Sequence, residues 1–136
     1  MIIRLVLKKQ KILFSTIIHP SVIFSKSVSI GKGTIIQAGS ILTIDIHVGN
    51  HVHINIDSTI GHDSILKDFV TINPAVHING NTLIGNNVFV GTGTIMKQKL
   101  KIGNDSIIGA GTVLLDDVPP LSMYVGVPGK LKKKLN

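Results

Sequence analysis

Counting from Ile30 in steps of six, every position through Leu114 is aliphatic or Met: Ile30, Ile36, Leu42, Val48, Ile54, Ile60, Leu66 and so on. Two residues before most anchors sits a small or β-branched residue, as in Val28, Thr34, Ser40, Val52, Ser58 and Thr112. The register runs back to Phe24 and Ile18 with no insertion. A helix needs apolar spacing near 3.6 and a half-buried flat strand needs long alternation at two, so a strict six fits neither. It predicts short strands joined by sharp corners.

A period of eighteen overlays the six, since Gly31, Gly49, Gly85 and Gly103 recur directly after the anchor and only Lys67 interrupts them. Three strands therefore close one coil. The predicted fold class is all-β: a parallel β-helix of triangular cross-section, with anchors pointing inward and stacking on their equivalents in the next coil. Glycine and asparagine at the corners accept positive φ at little steric cost. From Ile18 to Leu114 the register makes just under six coils, a prism on the order of 27 Å tall at an interstrand spacing of about 4.8 Å.

The register is expected to stop near Val118, because Pro119 and Pro120 lack backbone donors and oppose a further paired strand. The expected organisation is an entry segment over 1–21 that includes a partial helix, a β-helix over 22–118, and a cap with a basic tail over 119–136.

With 136 residues there is room for one domain. Aromatic residues make up only 4% of the chain, so branched aliphatics must fill the core. Cysteine is absent, which excludes a disulfide framework, a thiolate zinc site and a cysteine nucleophile. The net charge of +7 is concentrated at the end, where Lys130, Lys132, Lys133 and Lys134 fall in the last seven positions. No basic patch interleaves with aromatics, so a small phosphorylated molecule suits this charge better than nucleic acid. The opening MIIRLVLKKQKILF has no apolar run of signal-peptide length and no later stretch is long enough to cross a bilayer, so a cytoplasmic protein without membrane insertion is expected.

If the inward positions are fully apolar, chemistry must lie on the outside of the prism or between prisms. His62 stands two places after the anchor Ile60, at a corner, with Asp63 beside it. Stacked on His62 in the next coil is Gly80, expected to leave open space beside the ring, and one coil earlier the column holds Ile44. Two readings stand side by side: an ordinary pair of turn residues, in which Asp63 accepts backbone hydrogen bonds, or a general base whose neighbouring carboxylate fixes its tautomer and raises its basicity. His47, His51 and His53 raise the question of a metal. No nucleophilic triad stands out from the many turn serines, and no glycine-rich loop opens a helix.

The stretches IHPSV at 18–22, STIGHDSILKDFVTINPAVHINGNTLIG at 58–85, FVGTGTI at 89–95 and DVPPLSMYVGVPGK at 117–130 resemble the hexapeptide-repeat acyltransferases with a left-handed parallel β-helix. Within them the chain looks like the sugar acetyltransferases related to sialic acid O-acetyltransferase and to the N-acetyltransferases of bacillosamine and perosamine nucleotide sugars. The resemblance implies acetyl transfer from acetyl-CoA to an amine or hydroxyl of a sugar, as in bacterial surface glycan synthesis. It makes His62 the general base supported by Asp63, and it implies a homotrimer with acetyl-CoA in the groove between two prisms. Cofactor contacts carry over to Thr71, Gly80, Thr92 and Ala110, with the tail around Gly126 and Lys130 closing over the cofactor. At Thr71 the family often has a histidine. The prism-shaped γ-type carbonic anhydrases share the architecture, but their ligand histidines stand five apart and no two histidines here do, so no metal is expected. Family members usually carry an amino-terminal Rossmann-like domain for the acceptor, and this chain is expected to begin where that domain would end. The alternative function is a non-catalytic trimerising β-helix module of a split or truncated acetyltransferase.

Overall fold

The structure, a computed structural model, describes residues 13–136. Seventeen two-residue strands recur every six residues from Ile17–Ile18 to Val113–Leu114, and Ser122–Val125 and Lys130–Lys134 follow them. Each of the seventeen pairs in parallel with the strand one coil away, as in Ile36↔Ile54 and Leu66↔Ile84. Three sheets of eight, six and five strands form the faces of the prism. Face one begins with Ile17–Ile18, face two with Ile23–Phe24 and face three with Ser29–Ile30. The first edge lies between faces one and two, the second between two and three, and the third between three and one. The described residues contain no helix; the rest of the segment expected to hold a partial one lies outside them. The first strand pair already engages Ile17 and Ile18, inside the stretch read as an entry segment.

The second residue of each strand is the anchor, and from Ile36 to Leu114 every anchor is buried. The inner row two residues earlier is equally buried but not fully apolar, contrary to expectation: Thr34, Ser40, Ser58, Ser64, Thr82, Thr94, Ser106 and Thr112 all lie inside. The corner carbonyls explain it. Thr34 Oγ1 donates to the Gly49 carbonyl at 2.9 Å, Ser40 Oγ to that of Asn55 at 2.8 Å and Ser58 Oγ to that of Asn73 at 3.1 Å. Some of these hydroxyls also accept an N–H from the next coil, as Thr34 does from Val52. A hydroxyl thus joins two coils where a methyl would leave corner carbonyls unpaired.

Corner geometry follows from how closely the coils approach. The third residue after the anchor takes positive φ, as at Asp45, Asp57, Asp63, Asn81 and Asp105. Asn, Asp and Gly tolerate that region; His51, Phe69 and Lys99 adopt it too, where an ordinary side chain costs about 1–2 kcal/mol. The first residue after the anchor is often glycine because the next coil's backbone lies against it: a Cβ on Gly61 would sit 2.5 Å from Gly80 N and 2.9 Å from the Asn79 carbonyl carbon.

Pro119 and Pro120 do not end the pairing. Val118 is buried and bridges Ile102, two residues short of a full coil, and Ser122–Val125 resumes on face one with Ile108 opposite Tyr124. The two prolines occupy the intervening corner, so the donors they lack belong to no ladder. The chain then reverses, and Lys130–Lys134 pairs antiparallel with Ser122–Val125 as a terminal hairpin. At the opposite end Phe24 remains 44% exposed despite its anchor position.

Ile84 is completely buried at mid-height, so Ile84→Ala is expected to lower the unfolding free energy by about 2–5 kcal/mol. Phe24→Ala at the open end is expected to cost much less. Urea denaturation of both variants checks the contrast, and equal losses would contradict it.

Candidate functional site

The turn after Ile60 carries the histidine. Thr59–Ile60 lies on face two and Ile65–Leu66 on face three, so Gly61, His62 and Asp63 form a corner of the second edge. Backbone bonds hold this corner on both sides: the Asp63 N–H donates to the Ile44 carbonyl and the Asn81 N–H to the His62 carbonyl. Asp63, at φ 56°, aims its carboxylate back at the ring it follows, and His62 Nδ1 lies 2.7 Å from Asp63 Oδ2. A carboxylate only accepts, so Nδ1 carries the hydrogen in this contact, and in the neutral ring Nε2 is the acceptor. Both side chains stay about half exposed.

Gly80 fixes where Nε2 points. A Cβ at Gly80 would lie 2.5 Å from Nε2 and 2.8 Å from both Cδ2 and Cε1. The notch is therefore filled by the imidazole itself, a correction to the open space expected there. Gly80 is buried, its carbonyl accepts from the Lys99 N–H, and its own N–H meets no acceptor among the described residues.

That free donor belongs to a difference between edges. On the third edge an Asx ladder satisfies the equivalent amides: Asn50, Asp68, Asn86 and Asn104 accept through Oδ1 from the N–H of Lys32, Asn50, Asp68 and Asn86 respectively. On the other two edges the amides of Gly80 and Gln98, and of Thr92 and Ala110, have no such partner among the described residues. The eighteen-residue spacing of the four Asx residues was the readable signal for this, and sequence reasoning missed it.

The remaining candidates do not converge within one chain. Thr92, Ala110 and Gly126 form an exposed column along the first edge, and Lys130 opens the strand that follows it. Thr71 is on the outer side of face one, opposite His53 in the adjacent strand. His62 and Gly80 lie on the second edge, across face two from that column.

The other histidines have neutral partners. His47 meets Ser29 Oγ, His77 meets Thr59 Oγ1, His53 meets Gln37 Nε2 and His19 meets Ser21 Oγ, while His51 stacks on Phe69 with ring centroids 5.2 Å apart. Among the described residues only His62 faces a carboxylate, and no group of three or more His, Cys, Asp or Glu is placed to hold a metal ion. Nor, among them, is any helix long and apolar enough to cross a membrane.

Residues 81–116 match the bacterial transferase hexapeptide family model of six repeats. No curated protein matches the chain in sequence. Among solved structures it is similar to a histidine-to-asparagine mutant of perosamine N-acetyltransferase from Caulobacter crescentus in complex with CoA and GDP-perosamine, with a TM-score of 0.88 and 32% identity over 90% of this chain and 58% of that one. The acetyltransferase domain of PglB from Neisseria gonorrhoeae gives 0.91 and 31% over 95% and 63%. WeeI from Acinetobacter baumannii gives 0.89 and 30% over 95% and 63%. The chain thus spans about three fifths of the length of these neighbours.

Gly80→Ala is expected to push the imidazole out of its notch and away from Asp63 without unfolding the prism. The check is histidine NMR: the His62 ring resonances should move while those of His47 and His77 stay. An unchanged His62 spectrum in a folded variant would contradict the placement.

Proposed function

We propose that this chain, which matches the bacterial transferase hexapeptide model over residues 81–116, transfers an acetyl group from acetyl-CoA to an amine or hydroxyl of a sugar or nucleotide sugar in glycan biosynthesis. The observation that carries this reading is the His62 corner, where Asp63 accepts from Nδ1 and Nε2 lies against the side-chain-free backbone of buried Gly80. Support also comes from solved neighbours: the perosamine N-acetyltransferase mutant holds CoA together with GDP-perosamine, and the acetyltransferase domain of PglB is similar to this chain also in its complex with acetyl coenzyme A.

In this mechanism His62 Nε2 takes the proton from the acceptor amine or hydroxyl as that atom attacks the thioester carbonyl. Asp63 orients the imidazole and stabilises the imidazolium that forms. The carbonyl oxygen becomes the oxyanion of a tetrahedral intermediate, and the Gly80 N–H donates to it, a kind of stabilisation worth about 3–4 kcal/mol where such a donor has been removed. Collapse breaks the carbon–sulfur bond, the acetyl group stays on the acceptor, and the leaving thiolate takes the proton from His62.

The first-edge column of Thr92, Ala110 and Gly126 needs a second copy to meet His62 and Gly80. We assign it, with Thr71 and Lys130, to acetyl-CoA binding in a groove between protomers of a homotrimer, where the first edge of one copy faces the second edge of the next. Acetyl-CoA supply inside the cell places the reaction in the cytoplasm.

The test is thiol release from acetyl-CoA in the presence of a panel of amino-sugar nucleotides and sialic acids, together with light scattering for the trimer. His62→Ala is expected to lower kcat by about 10²- to 10⁴-fold, and Asp63→Asn to lower it less. Equal rates for wild type and His62→Ala would remove His62 from the reaction. CoA binding and trimerisation without turnover on any acceptor would leave the non-catalytic assembly module as the function.

A further inference from the structure

Two coils beyond His62, the second edge turns cationic. Stepping down its central column from His62 leads to Gly80 and then Gln98, which is flanked by Lys97 and Lys99, all three exposed. Backbone bonds fix this corner in register with its neighbours: the Lys99 N–H donates to the Gly80 carbonyl at 2.9 Å, and the Lys97 N–H donates to the Leu114 carbonyl at 3.0 Å. Among the described residues neither ammonium group has a carboxylate within ion-pair distance, and the Gln98 N–H has no acceptor. Lys99 takes φ 65° at a position where the coils above place Asp45, Asp63 and Asn81, so a lysine stands in a backbone conformation it does not favour.

These residues line a cleft of about 370 Å³ with Leu100, Leu115, Asp116 and Asp117. The aspartates form the wall away from His62, and Asp117 is engaged by the Lys101 N–H at 2.8 Å. A ligand running along the edge from His62 therefore reaches the lysines before it reaches the acids. Two coils span roughly 10 Å, and a flexible lysine stem adds a few more ångströms.

We propose that Lys97, Lys99 and the Gln98 N–H form a subsite for the diphosphate of the acyl donor, on the wall of the groove opposite the Thr92 and Ala110 column. The subsite rests on the acetyl-transfer reading and sharpens it by fixing the direction in which the donor lies. The pantetheine arm between thioester and diphosphate is equivalent to about four residues of extended chain, or roughly 14 Å. With the thioester at His62, the diphosphate of a donor extended toward the terminal hairpin falls within reach of both ammonium groups. A nucleotide-sugar acceptor carries a diphosphate as well, but its sugar is joined to that diphosphate directly. The same reach from His62 would therefore leave its phosphates nearer the Gly80 coil.

Calorimetric titration of the full chain with CoA, dephospho-CoA, pantetheine, GDP and UDP tests the subsite, comparing wild type with the double variant Lys97→Ala/Lys99→Gly. Glycine at 99 removes the charge and suits the positive φ, so the variant is expected to keep its thermal stability. CoA and dephospho-CoA are each expected to bind about tenfold more weakly, with a shallower dependence on salt, while pantetheine, GDP and UDP are unaffected. An unchanged CoA affinity overturns the subsite and leaves the acetyl-transfer reading standing. Weaker GDP or UDP binding with CoA unchanged overturns it in favour of the acceptor, and an equal loss for pantetheine overturns it as a distortion of the groove. Wild type that binds no CoA removes the acetyl-transfer reading together with the subsite.

Discussion

Each coil must lay its backbone on the next at the spacing of a parallel sheet while turning a corner every six residues, and this close approach governs the rest of the structure. A side chain directly after the anchor would strike the next coil wherever the approach is tightest, which is why Gly31, Gly61, Gly91 and Gly103 stand there. The left-handed residue two places later completes the turn. Inside, hydroxyls of Thr34, Ser40 and Ser58 reach corner carbonyls that no strand can pair. Repetition then converts a local solution into a rigid frame, because each corner is held by the corners above and below it.

The same constraint shapes the site. At Gly80 the missing side chain is used by the imidazole of the coil above, so the ring is clamped between its own carboxylate and a bare backbone. His62 and Asp63 are adjacent in sequence, and only the positive φ of Asp63 turns its carboxylate onto the preceding ring. The frame also decides which edges can receive a ligand. An Asx ladder seals the third edge, whereas the first and second keep a column of backbone donors that a bound amide, carbonyl or phosphate can satisfy.

Most of the frame was legible because it depends on spacing. Anchors from Ile36 to Leu114, the three-strand coil and the His62 column all follow from counting six and eighteen, and the structure places them accordingly. The terminal coil was not, because a two-residue shortening before Val118 breaks the count, and Ser122 and Tyr124 then occupy inner-row and anchor places that the regular period assigns to other residues. The buried hydroxyls escaped for a different reason. Hydropathy alone predicts an apolar interior, and only the corner carbonyls, which are invisible to it, supply their partners. The contact between His62 and Asp63 was suggested by adjacency, but adjacency is equally compatible with two solvated turn residues; the backbone twist at Asp63 is a property of the corner.

The dispersal of the remaining candidates is itself informative about how such a frame can act. In a triangular prism, outward residues on different edges diverge, so no single chain can bring Thr92 and Ala110 to His62 across face two. Among the described residues the flat face carries no loop able to fold over and close the distance. In the trimer proposed above, copies set side by side would solve the problem without internal motion, with one edge of each facing a different edge of its neighbour across a groove whose walls are rigid before the ligand arrives. Binding there spends little on ordering protein groups. A groove between two such flat-sided prisms would be shallow, so a long ligand laid along the coils, held at several heights by backbone donors and by charge, suits the proposed arrangement better than a small one.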